Sequence, residues 1–194
     1  MEYRTIASTD FSNPSRDLID TITDVEQIVD WARDYLINEG SEANSIVGKM
    51  RHETDITAIS GYIRQVLGLS INWFETTDPP FNYLRDRMSE AGIIVMMNGI
   101  VRNNTHRPLN TEEFRAFTNI DRYAPLIFIN ATDSISGRLF SLLHEFVHIC
   151  FGVDNLYNDT HNTYKGVSKL ETLCNAVAAE ILVPASQFNL TWKV

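Results

Sequence analysis

The sequence predicts an α+β fold in which a helical N-terminal part precedes a small mixed β-sheet packed on two further helices. Three observations lead there. Apolar residues recur at helical spacing through most of the first 90 positions. The pattern then changes to short, β-branched-rich runs bounded by Gly, Pro and Asn. It finally returns to helical spacing in "SLLHEFVHICFG", where one acid and two imidazoles interrupt an otherwise apolar run.

In chain order, "NPSRDLIDTITDVEQIVDWARDYLINEG" sets Leu18, Ile22, Val25, Ile28, Val29, Ala32, Tyr35 and Leu36 on one helical face and stops at Gly40. A second helix over "ETDITAISGYIRQVLG" is expected to end near Gly68, and a third, started by Pro, runs to Gly92. Three helices are thus expected before any strand. "GIIVMMNG" and "APLIFINA" suit buried or half-buried strands, with "FRAFTNI" a candidate third. Whether "LIFIN" is an edge strand, to which an extended peptide could add, or an interior one is open at this point. From Ser136, read as an N-cap, a helix runs to Gly152. The polar stretch "FGVDNLYNDTHNTYKGVS" reads as a loop, and "KLETLCNAVAAEILVP" as a last helix halted by Pro184. The expected division is an acidic helical region, 1–70, and a second unit, 71–194.

Charge narrows the function classes. The net charge is −9, and residues 1–75 carry 13 acidic and 6 basic side chains against 12 and 10 in the remainder. A grip on nucleic acid needs clustered Lys and Arg, so direct nucleic-acid binding is not expected. The start "MEYRTIASTDF" has no basic segment leading into an apolar one, and no apolar run is long enough to span a bilayer. No membrane partner is expected, and the compartment expected is the cytoplasm. Cys150 and Cys174, both in apolar helical contexts, read as reduced core thiols.

His144, Glu145 and His148 form H-E-x-x-H. Positions i and i+4 of a helix lie roughly 40° apart around the axis and about 6 Å along it, so both imidazoles can face one metal ion. Glu145, about 100° round from His144, can flank that ion as a base for water without ligating it. The surrounding Leu142, Leu143, Phe146, Val147, Ile149 and Cys150 leave no polar face. Buried polar groups without partners would cost several kcal/mol each, whereas a divalent cation satisfies them. A hydrolytic zinc site needs a third protein ligand, and Glu171, Glu180 and His161 are the candidates. Mn2+ or Fe2+ would also suit two histidines and a carboxylate. His161 and Tyr164 have the chemistry to donate a hydrogen bond to a developing oxyanion.

The blocks "FRAFTNIDRYAPLIFIN", "FSLLHEFVHICFG" and "ETLCNAVAAEILVP" resemble successive segments of the ImmA/IrrE metallopeptidases, over roughly residues 70 to 190. The resemblance implies a minimal zincin-like core in 71–194, with His144, His148 and Glu171 binding zinc, Glu145 the catalytic base and Asn175 orienting a ligand. It also implies an endopeptidase acting on a specific protein, such as a DNA-binding transcriptional repressor in a phage, mobile-element or stress-response system. Cys174 stands where small residues such as Ala are usual in that family, and the acidic N-terminal helices contain no basic recognition helix of the kind many members carry. The competing class is a non-catalytic metal-binding regulatory or interaction module. Two cysteines on different helices argue against the Cys-rich, four-ligand closure of structural zinc.

Overall fold

A computed structural model describes residues 2–4, 14–77, 79–152 and 163–191. The chain begins with a strand, β1 (Glu2–Arg4), followed by helices α1 (Arg16–Asn38), α2 (Ile56–Leu67), α3 (Trp73–Thr76) and α4 (Pro80–Glu90). Then come β2 (Ile94–Asn98), β3 (Ile100–Val101), β4 (Asn104–Pro108), β5 (Ala116–Asn119) and β6 (Leu126–Asn130). Helices α5 (Ile135–Phe151), α6 (Thr163–Leu182) and α7 (Ala185–Thr191) complete the order. The class is α+β, as expected. Among the described residues, no helix is long and apolar enough to cross a membrane.

The main sheet has the order β1-β5-β6-β2 and is mixed: β2 runs parallel to β6, while β5 is antiparallel to both β6 and β1. Strand alternation sends successive side chains to opposite faces. On β6, Ile127 and Ile129 enter a cluster with α2, α4, α5 and α6, whereas Leu126 and Phe128 enter a second cluster with α1. All five residues of "LIFIN" are therefore buried, which explains why the run shows no polar alternation. On β5 the same alternation turns Phe117 toward α1, stacked on Phe128 at 5.1 Å, and leaves Ala116 in the α5 cluster.

Several expectations are corrected. Strand β1 precedes the helices, because the N-terminal residues pair with β5 from the far side of the sequence (Glu2 opposite Thr118). The question left open over "LIFIN" resolves to an interior strand, flanked by β5 and β2. The N-cap of α5 is Ser134 rather than Ser136: its side chain accepts from the Gly137 N–H at 3.0 Å. The preceding Asp133 is tied to Arg115, just before β5, so the helix starts as soon as the chain leaves β6. Helix α6 begins at Thr163, well inside the stretch read as a loop; that segment has no proline, and Gly166 costs a helix only about 1 kcal/mol. Pro184 does end α6, but α7 follows at once. The hairpin β3–β4 was not anticipated. It turns on Arg102 and Asn103, both at positive φ, where the sequence offers no glycine.

Helix α2, from the acidic N-terminal region, places Ile59, Ile63 and Leu67 in the same cluster as Leu143, Val147 and Ile181. Its Arg64 donates to the carbonyls of Glu180 and Ile181, and Trp73 Nε1 donates to Ile181 at 3.1 Å. The C-terminal end of α6 is thereby anchored. At the end of α5, the segment around Gly48 lies directly on Gly152: the Gly48 and Met50 N–H groups donate to the carbonyls of Ile149 and Cys150. Gly152 has φ +61, and a Cβ there would stand 2.5 Å from the Gly48 Cα. Gly152→Ala should therefore lower the unfolding free energy by about 2–4 kcal/mol in urea titration, combining left-handed strain with overpacking. Gly40→Ala, at φ +74 with open space around it, should cost only about 1 kcal/mol. Equal costs would mean that Gly152 does not lie against Gly48.

Candidate metal centre

Helix α5 is buried almost all round: His144 is 1% exposed, and Glu145 and His148 are fully buried. The capping hydroxyl of Ser134 and the left-handed Gly152 keep 144–148 within one uninterrupted helix, so the i, i+4 pair shares a face. Their Nε2 atoms lie 3.0 Å apart. Across the α5–α6 contact, Glu171 brings Oε2 to 3.3 Å from His144 Nε2 and Oε1 to 3.2 Å from His148 Nε2. Ligand atoms from all three residues lie within 4.8 Å of one another.

These separations suit a metal. Four ligands about 2.0–2.1 Å from a tetrahedral zinc stand roughly 3.3 Å apart, near the spacings found here. Two imidazoles and one carboxylate are also the donor set of catalytic rather than structural sites. The Glu171 side chain is 34% exposed, so the cluster opens to solvent on the α6 side. Phe140, one turn ahead of His144, covers that ring at a centroid distance of 6.3 Å.

Of the alternatives for the third position, Glu180 is elsewhere: its carboxylate accepts from the Ala185 N–H at 3.0 Å, linking α6 to α7. His161 lies outside the described residues. Tyr164 falls in the first turn of α6. Asn175, one turn beyond Glu171, is exposed and has no hydrogen bond among the described residues, so the orienting role expected of it has no contact behind it. The atom next to the outer nitrogen of His148 belongs instead to Cys174, whose Sγ lies 3.7 Å from Nδ1. Both cysteines are free and buried, and burial, reinforced by Cys174, pushes the Cys150 thiol far up, so it stays protonated.

Thr118 was missed by sequence reasoning. Its hydroxyl donates to Glu145 Oε2 at 2.6 Å, with both residues fully buried. The only signal was period-two alternation on β5, which puts Thr118 on the same face as Ala116 and thus toward α5. Recognising it required knowing that this face meets the helix one position after His144.

Comparison with known proteins agrees with this geometry. The family of M78 peptidases described as the IrrE N-terminal-like domain matches residues 90–194, which include α5 and α6. The chain is 41% identical over 63 residues to the radiation response metalloprotease IrrE of Deinococcus radiodurans, a stretch covering 30% of this chain and 19% of that protein. It is 39% identical over 64 residues to the protein of the same name from Deinococcus deserti, covering 31% and 23% respectively. The matched stretches thus span about a fifth of these curated relatives. No solved structure matches comparably. With more than half its length matched by the family and the H-E-x-x-H helix facing Glu171, the chain belongs to the M78 peptidases of the IrrE N-terminal-like type.

Proposed function

We propose that this protein is a zinc-dependent endopeptidase that cleaves a specific protein, with a DNA-binding transcriptional repressor as the substrate in a stress-response, phage or mobile-element setting. The observation that carries the reading is the convergence of His144, His148 and Glu171 beside a buried glutamate. The relatives named radiation response metalloproteases support the response setting. A repressor substrate places the reaction in the cytoplasm. Catalysis is assigned to 71–194, with 1–70 contributing α2 to its core.

In this reading His144, His148 and Glu171 hold the metal, which when bound supplies Lewis-acid polarisation and makes water a nucleophile near neutral pH. Mn2+ or Fe2+ would fit the same donors. Glu145 accepts the proton of the attacking water and passes it to the departing amine, so the proton count closes over one peptide bond hydrolysed. Thr118 holds the Glu145 carboxylate in one orientation through its hydroxyl, which keeps the proton-exchanging oxygen at a fixed place. Cys174, against His148 Nδ1, steadies the ring that presents Nε2 to the cluster.

Glu145→Gln should retain metal and lose at least about 10²-fold in peptide hydrolysis, since general acid–base transfer is worth that much. Full cleavage of the cellular target by this variant would leave the metal-binding regulatory module as the better reading. Thr118→Val should keep both fold and metal yet lower kcat by about 10²-fold with KM little changed, and Thr118→Ser should restore it. A loss confined to KM would show that Thr118 contacts substrate rather than positioning Glu145.

A further inference from the structure

Beyond the metal cluster, the surface carries one feature at odds with the chain's net charge of −9. A cavity of about 620 Å³ beside the end of α5 is lined by Lys49, Arg51, His52 and Arg122. Glu53 is the only acid among the lining residues, and its carboxylate is turned onto the N–H groups of Thr54 and Asp55. The Asp55 and Thr54 N–H groups hold that carboxyl below the usual range, so it stays an anion committed to its own backbone. Asp121, next to Arg122, is likewise committed: it accepts from the Tyr123 and Ala124 N–H groups and stands 3.6 Å from Arg33. Arg51 donates to the Gly152 carbonyl at 3.0 Å, while Lys49, His52 and Arg122 form no ion pair among the described residues.

We propose that this basic cavity is a docking site for an acidic segment of a protein, and, given the peptidase reading above, for the segment of the substrate that flanks the bond cut. Backbone geometry decides against a small phosphate-like anion. Such a ligand is usually cradled by free backbone N–H groups. Here those of Gly48, Lys49, Met50, Arg51 and Glu53 are spent on the carbonyls of Ile149, Ile46, Cys150, Gly48 and Met50. What remains is a set of exposed cationic side chains on two separate segments, which suits carboxylates spaced along a peptide.

Position favours substrate. Arg122 lies four residues beyond Thr118, whose hydroxyl holds Glu145, a reach of at most roughly 14 Å. Gly152 lies four residues beyond His148, about 6 Å along α5. Both places therefore fall within the length of one extended peptide. Apart from this basic stretch, residues 1–75 are strongly acidic and repel an acidic chain, so the cavity adds selectivity as well as affinity.

The test is binding, measured without turnover. A fluorescein-labelled octapeptide with four Glu is titrated by anisotropy into the 194-residue chain and into its Glu145→Gln variant, with the matching Gln peptide as control and inorganic phosphate as competitor. The expected result is equal binding of the Glu peptide to both proteins and at least about tenfold weaker binding of the Gln peptide. Binding should also weaken as ionic strength rises from about 0.01 to 0.15 M, over which the Debye length falls from about 30 to 8 Å. Lys49→Glu/Arg122→Glu, two exposed positions, should abolish binding of the Glu peptide while leaving the unfolding midpoint unchanged. Equal binding of the two peptides, or undiminished binding to the charge-reversed variant, would overturn the proposal. Displacement of the peptide by low-millimolar phosphate would also overturn it, in favour of a small-anion site. Because Glu145→Gln is included, failure of the peptidase reading leaves this binding result intact, and failure of binding leaves hydrolysis to be judged separately.

Discussion

The contact of α6 on α5 brings a carboxylate within 3.3 Å of two imidazoles that are themselves almost wholly buried, and much else in the fold serves that contact. The two buried imidazoles would each cost several kcal/mol if nothing balanced them. A divalent cation shared by them and Glu171 would supply that balance, and metal affinity would then be coupled to folding. The anchors at both ends make sense in this light. Arg64 and Trp73 grip the C-terminal end of α6, Arg115 and Asp133 fix the start of α5, and the Gly48–Gly152 contact fixes its end.

The sheet contributes what Glu145 requires if it is the base proposed above, a fixed orientation. Strand β5 presents Phe117 to one layer and Thr118 to the other, so a single strand builds core on the α1 side and chemistry on the α5 side. A base needs rotational order as much as nearness, and a buried hydroxyl at 2.6 Å provides it without adding a charge.

How far the sequence discloses this depends on whether each signal is local. Helix α2 runs to Gly68 and α5 to Gly152 because a left-handed residue and its capping bonds are written within a few positions. The H-E-x-x-H trio was legible for the same reason, since helix periodicity alone puts two imidazoles on one face. Glu171 was not fixed by spacing. Glu180 and His161 stood as competitors until a family resemblance favoured Glu171, because the answer lies in how two helices pack. Thr118, the interior place of "LIFIN" and the three-residue β1 were illegible for a related reason: each is defined by a partner far away in sequence. Ser134 and Ser136 can both cap, and only the exit from β6 and the Arg115–Asp133 pair decide between them.

The central claim is that His144, His148 and Glu171 act together as one metal site. Elemental analysis of the purified chain beside His144→Ala, His148→Ala and Glu171→Ala tests it most directly. The account predicts about one divalent ion per chain, zinc in preference to manganese or iron, and its loss in all three variants. Full metal content retained in Glu171→Ala would contradict it, as would a wild-type chain that takes up no metal on reconstitution.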